Sequence, residues 1–130
     1  DPAGNRRPLH HELGMEAIHW NAGPVNPIVP TETWIGGPDV RSEALLNTSW
    51  VRLDRFHLTR SWRVGLIGEM TVWMVLDGNA KLLTVSGNRS IQLARGSTVL
   101  VPADAGEVEW APVQSGERCT LLCIRQPTCH

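Results

Sequence analysis

A chain of 130 residues with 42% hydrophobic and 19% charged residues has the size and composition of one globular domain, able to bury roughly two thirds of the surface its unfolded chain exposes. Twelve Lys+Arg against thirteen Asp+Glu leave a net charge of -1, which argues against a polyanion-binding basic face and against electrostatic adhesion to a membrane. No apolar run approaches the roughly 18 residues of a spanning helix, and the start lacks the basic, apolar and small-residue order of a signal peptide. The opening Asp1-Pro2 points instead to a processed product or to a piece of something longer.

Three zones follow in chain order: a leader of residues 1–48, a β-rich unit of 49–126 and a polar tail of 127–130. In the leader, Pro2, Pro8, Pro24, Pro27, Pro30 and Pro38 stand against any long regular element. One short helix is expected over about 11–18, with Leu9, Leu13 and Ile18 roughly on one side, Pro8 before it and Asn21 to Gly23 closing it. Residues 23–47 read as an extended wrapping arm that carries Trp34, with a turn at 36–39.

From Ser49 the pattern becomes β. Residues 50–58 alternate with a change of phase, Val51 and Leu53 on one face and Phe56 and Leu58 on the other, which predicts a bulge near Asp54-Arg55. A strongly apolar strand over 70–76 ends at Asp77, Gly78 and Asn79. Residues 80–85 and 89–93 form a hairpin across Ser86, Gly87 and Asn88. Strands over 97–101, 107–111 and 118–125 complete a set of about seven, separated by turns. Short strands at such regular spacing imply an antiparallel sandwich or barrel.

The chemistry-bearing residues are sparse. Cys119 and Cys123 lie four residues apart in one apparent strand, about 13 Å, beyond the roughly 7 Å between Cα atoms that a disulfide spans. With no CxxC spacing they read as buried reduced thiols, and that usage places the chain inside the cell, in the cytoplasm. Of the five histidines, His10 and His11 stand beside Glu12, but neighbours on a helix point about 100° apart, so they read as a helix start rather than a metal site. His19, His57 and His130 are scattered, and no nucleotide-binding loop occurs. The six tryptophans, Trp20, Trp34, Trp50, Trp62, Trp73 and Trp110, are spread evenly and read as core or interface anchors, with sugar stacking as the alternative.

Two segments resemble a cupin: residues 68–78, GEMTVWMVLDG, followed by AKLL at 80–83, and their counterpart GSTVLVPAD at 96–104. The resemblance implies an all-β jelly-roll (double-stranded β-helix) barrel with a short N-terminal helix and an irregular arm. Anchored on Gly78, the cupin pattern GX5HXHX3-4EX6G puts its glutamate on Thr71 and its histidines on Val64 and Leu66, or on Gly65 and Ile67. Anchored on Gly96 and Pro102, the pattern GX5PXGX2HX3N puts its histidine on Glu107 and its asparagine on Ala111. One carboxylate and no imidazole survive, too few for a divalent ion, so neither a metal nor another cofactor is expected in this chain. The polar residues expected at the barrel mouth are Arg63, Glu69, Thr71 and Glu107.

Residues 4–20, GNRRPLHHELGMEAIHW, are similar to the stretch that follows the catalytic cupin of type I phosphomannose isomerases and leads into their C-terminal cupin. The resemblance covers about residues 1–125. It implies the non-catalytic C-terminal barrel of a zinc-dependent mannose-6-phosphate isomerase, which interconverts mannose 6-phosphate and fructose 6-phosphate. In that family the zinc ligands (a Gln, two His and a Glu) and the catalytic arginine lie upstream, so no catalytic residue is carried over. The implied partner is the catalytic barrel of the same parent chain, packed against Trp20, Trp34 or residues 27–30. A homo-oligomer is possible, and neither nucleic acid nor membrane is expected. A metal-free cupin that binds a sugar or small molecule, or that serves as a structural or oligomerising barrel, is the alternative.

Overall fold

The computed structural model describes residues 10–23, 26, 29–65, 68–85 and 89–127. Among them one helix, α1 (His11–Glu16), precedes ten strands: β1 (Thr31–Trp34), β2 (Val40–Asn47), β3 (Arg52–Leu58), β4 (Trp62–Gly65), β5 (Thr71–Asp77), β6 (Ala80–Thr84), β7 (Arg89–Leu93), β8 (Thr98–Val101), β9 (Glu107–Pro112) and β10 (Cys119–Arg125). They form two antiparallel sheets, one in the order β1-β2-β3-β10-β5-β8 and the other in the order β4-β9-β6-β7. This is the jelly-roll architecture expected from the cupin-like segments.

The three central strands of the larger sheet show why the chain folds this way. Cys119, Leu121 and Cys123 of β10 are buried, and so are Leu58, Phe56 and Asp54 opposite them on β3. On the other side Leu121 faces Val75, Cys123 faces Trp73 and Arg125 faces Thr71 on β5. Side chains alternate with a period of two, so one register places all of these on a single inner face. The smaller sheet closes over that face with Val108 and Trp110 of β9 and Ala80 and Leu82 of β6. Four aromatic rings fill the middle. Phe56 stacks on Trp62 at 4.9 Å between centroids and meets Trp73 at 5.4 Å, and Trp73 meets Trp110 at 5.1 Å.

The turn after β5 depends on Gly78, which has φ +73, a left-handed conformation that favours glycine. A Cβ there would also overlap the Arg118 carbonyl oxygen and come within 3.2 Å of Cys119 Cα. This close backbone approach locks the β5–β6 turn against the start of β10.

Several local expectations are corrected. Helix α1 ends at Glu16 rather than near Ile18, and none of its residues is buried. The arm over 23–47 is more regular than its prolines suggest, because residues 31–34 and 40–47 pair as a hairpin and extend the larger sheet. Pro30 lies just outside that hairpin and Pro38 lies in its turn, where a missing N–H costs no ladder bond. The bulge expected near Asp54-Arg55 is absent from β3, whose pairing with β10 runs without a shift from Leu58 to Arg52. It sits on β2 instead, between Ala44 and Leu46. Strand β4 was not anticipated. The hairpin turn at 86–88, Leu66, Ile67 and Cys129 lie outside the described residues. No helix among the described residues is long and apolar enough to cross a membrane.

Candidate functional site

The inner face of the barrel carries Thr71, one of the expected ligand positions, and is the first place to look. Its centre is occupied by Phe56, Trp62, Trp73 and Trp110, of which Trp73 and Trp110 are essentially fully buried. Trp73 Nε1 donates to Thr71 Oγ1 at 2.8 Å, so the one hydroxyl at an expected ligand position is engaged with an indole. Val64 packs against the core as an aliphatic side chain. Glu107 is exposed and neighbours the buried Val108 on β9, so it occupies the opposite, outer face. Leu66 lies outside the described residues. These donors do not fit a divalent ion, which needs three or four convergent ligands. Among the described residues no group of three or more His, Cys, Asp and Glu gathers.

The four polar residues expected at the mouth fall in two places. Arg63 and Glu107 lie on the outside of the smaller sheet, where Arg63 Nε donates to Glu109 Oε2 at 2.8 Å. Glu69 and Thr71 lie at one end of the inner face, beside charged residues that the sequence reading did not bring together. There Arg52 Nε donates to both carboxylate oxygens of Asp54, at 2.8 and 3.1 Å. Arg125 Nε reaches Asp54 Oδ2 at 3.3 Å, and Arg125 Nη1 stands 3.7 Å from Glu69 Oε2. Asp54 is only 3% exposed. One signal for this cluster was present in the sequence. The inward phase of β3, traced back from Leu58 and Phe56, meets Asp54 and then Arg52, and no bulge is needed to explain it.

Cys119 and Cys123 line the same buried face and are free thiols. Burial pushes the Cys119 thiol up to about 11 and the Cys123 thiol up to about 12. Neither is a nucleophile near neutral pH.

A second concentration of polar groups lies on the outer face of the larger sheet. Arg41 and Glu43 of β2, Arg55 and His57 of β3 and Thr120 of β10 share that face in adjacent registers. Glu43 is 5% exposed and is held by the Arg55 guanidinium, with Arg41 Nη2 at 3.7 Å. Burial disfavours its charged form, but the Arg55 hydrogen bond and charge, with His57 nearby, hold its pKa below the ordinary carboxylate value. His57 Nδ1 is 3.2 Å from Thr120 Oγ1, and its Nε2 is 3.5 Å from Glu43 Oε1. Above this row opens a cleft of ≈ 190 Å³. Its walls include Trp34, Asp39, His57, Thr59, Arg118 and Thr120. Trp34 and His57 are 23 positions apart, and nothing local in the sequence joins them. Their meeting depends on the β1–β2 hairpin, which the prolines concealed. His10 and His11 remain exposed on and beside α1.

No protein-family model matches this sequence, and no curated protein matches it. Solved structures do match. A cupin superfamily protein from Desulfitobacterium hafniense aligns over 73% of this chain and 84% of its own, at 21% identity and a TM-score of 0.56. The polyketide cyclase RemF from Streptomyces resistomycificus aligns over 79% and 78%, at 13% identity and a TM-score of 0.64. KdgF from Halomonas sp. aligns over 74% and 87%, at 9% identity and a TM-score of 0.59. Identities this low speak to the fold and leave function to the residues themselves. With its two antiparallel sheets closed over one apolar face, the chain has the cupin-type jelly-roll fold.

Proposed function

We propose that this chain is the non-catalytic C-terminal barrel of a zinc-dependent mannose-6-phosphate isomerase. Two features support the reading together. The leader at 4–20 resembles the segment that joins the two barrels of that enzyme type. The barrel that follows has cupin form, yet its centre is packed with Phe56, Trp62, Trp73 and Trp110 in place of ligands. The second feature carries the reading, because an aromatic-filled jelly roll suits a packing partner better than a metal centre.

In the parent enzyme, zinc bound in the upstream barrel would polarise the sugar oxygens while a base moves a proton between C1 and C2. The residues of this chain would act by packing. Trp20 is 66% exposed, and Leu13, Met15 and Ile18 of the α1 region are exposed as well. Apolar groups in such number on one segment suit a contact with a preceding domain. The parent would work in the cytoplasm.

The test begins with the coding sequence upstream of Asp1 and expression of the complete reading frame. The expected result is a preceding cupin with a Gln-x-His and a Glu ligand, isomerase activity that a chelator removes, and no turnover by residues 1–130 alone. Turnover of mannose 6-phosphate by residues 1–130 at the rate of the full chain would overturn the proposal. A reading frame without an upstream cupin would also overturn it, in favour of a metal-free binding or structural barrel.

A further inference from the structure

We propose that the outer cleft between the β1–β2 turn and the start of β10 binds a small phosphate-bearing anion, held by Arg118 and Thr120, with the body of the ligand against Trp34. The proposal stands on this cleft alone and does not depend on the parentage proposed above.

Charge pairing around the cleft leaves one cation over. Glu43 is held by Arg55 and Arg41, and Glu32 has Arg41 Nη1 at 3.1 Å. Asp39 accepts from Thr59 Oγ1 at 3.1 Å and has Arg60 Nη1 at 3.7 Å. Each nearby carboxylate therefore has a guanidinium within reach. Arg118 lines the same cleft and, among the described residues, has no carboxylate within 4.0 Å. An unpaired guanidinium offers a planar fork of donors that matches a phosphate or carboxylate edge.

The neighbouring donors are already arranged. Thr120 sits beside His57, with Oγ1 and Nδ1 at 3.2 Å. When the imidazole donates through Nδ1 to that oxygen, the Thr120 hydroxyl hydrogen is free to point into the cleft. The buried Nε2 of His57 has no hydrogen-bond partner among the described residues, and it faces Glu43 at 3.5 Å. In the protonated ring both nitrogens donate, Nδ1 to Thr120 Oγ1 and Nε2 toward Glu43, so in that state the ion pair with Glu43 orients the ring and His57 acts as a positioning residue for Thr120. Trp34, 60% exposed, also lines the cleft and offers a large aromatic side chain for the body of an organic ligand. A cleft of ≈ 190 Å³ suits a small molecule rather than a polymer, in keeping with a net charge of -1.

The test is titration calorimetry of the full 130-residue chain with glucose 6-phosphate, inorganic phosphate and glucose, together with the indole N–H signals of the tryptophans in an NMR spectrum. Glucose 6-phosphate is expected to bind one equivalent at millimolar concentration, to shift the Trp34 signal and to weaken as salt is added. Arg118→Gln is expected to weaken it about ten-fold or more, the size of a charged hydrogen bond. Arg89→Gln, an exposed cation that does not line the cleft, is expected to leave it unchanged. Tighter binding of glucose 6-phosphate than of inorganic phosphate would identify a phosphate ester as the ligand, and equal binding would identify free phosphate. The absence of binding by both, binding of glucose equal to that of its phosphate, or equal losses from Arg118→Gln and Arg89→Gln would overturn the proposal.

Discussion

Arg125 and Asp54 are 71 residues apart in the chain, yet Arg125 Nε lies 3.3 Å from Asp54 Oδ2 at one end of the inner face. The register of β10 on β3 brings this about. Cys123 stands opposite Asp54 and Arg125 opposite Arg52, so the arginine is diagonal to the carboxylate and flanks it from the side away from Phe56. Taking a carboxylate to 3% exposure is costly, and the two guanidiniums offset that cost rather than add a large surplus.

Removal of the charge from one side of this arrangement is expected to be damaging. Asp54→Asn leaves Arg52 and Arg125 facing each other with no counter-charge. The arginines are 32% and 17% exposed, so solvent screens part of the repulsion. A loss of about 2–3 kcal/mol is expected, somewhat below the value for a fully buried pair. Urea unfolding followed by circular dichroism should show a lower midpoint at unchanged slope. An Asn variant within about 0.5 kcal/mol of the parent would mean that the carboxylate is not important to the fold.

The two buried tryptophans are expected to respond differently to the same substitution. Trp73 Nε1 donates to Thr71 Oγ1 at 2.8 Å, whereas Trp110 Nε1 is buried with no partner among the described residues. Phenylalanine removes a similar volume at either place. At Trp73 it also leaves the Thr71 hydroxyl, 1% exposed, without its donor, and at Trp110 it removes an unsatisfied N–H. Trp73→Phe should therefore cost about 1–2 kcal/mol more than Trp110→Phe. Thermal unfolding of the two variants, side by side, checks the order.

Much of the barrel was legible because its strands carry the signal that strands carry best. Residues 70–76 form a strongly apolar run, Cys119, Leu121 and Cys123 recur at a period of two, and Gly78 and Gly96 mark turns with φ of +73 and +85. Strand β4 escaped notice because Arg63 and Gly65 dilute it and its apolar residues, Trp62 and Val64, are too few to set a period. The β1–β2 hairpin is hidden because dense proline resembles irregular chain, although Pro38 falls in the turn. The inward Asp54 mimics a phase change, because a charged side chain on the inner face breaks the apolar alternation. Polar residues on inner faces break the binary pattern where pairing partners come from distant strands, and those partners cannot be read from local sequence. The cleft beside Trp34 has the same origin, since its walls come from four strands, β1, β2, β3 and β10, and the segments beside them.

Thiol chemistry gives a third check. With Cys119 and Cys123 raised to about 11 and about 12 by burial, both remain protonated at pH 8 and shielded from solvent. Ellman's reagent at that pH is expected to leave both unmodified in the folded chain and to modify them on unfolding, with the sites assigned by mass spectrometry. The same shifts predict the alkaline behaviour. Their folded values lie above the ordinary 9.0, so the stability they contribute is full below pH 9 and falls as pH rises toward 11 and 12. Rapid labelling of Cys119 or Cys123 in the native state would show that the inner face opens readily.

Acid should destabilise the fold through Glu43. Its pKa is held below the ordinary 4.5, since the Arg55 hydrogen bond and charge and the nearby His57 together outweigh the opposing effect of burial. A carboxyl whose folded pKa lies below its unfolded value contributes stability that is fully present above the unfolded value. That contribution is lost as pH falls from 4.5 through the folded pKa, because the unfolded chain takes up the proton first. Unfolding free energy measured in urea between pH 7 and pH 3 should therefore drop below pH 4.5. Glu43→Gln should be less stable than the parent at pH 7, since Arg55 and Arg41 lose their shared partner, and the gap should narrow toward pH 3. Arg55→Gln should reduce the same acid slope from the other side of the pair. A parent and a Glu43→Gln variant whose stabilities fall in parallel over that range would show that the acid sensitivity does not come from Glu43.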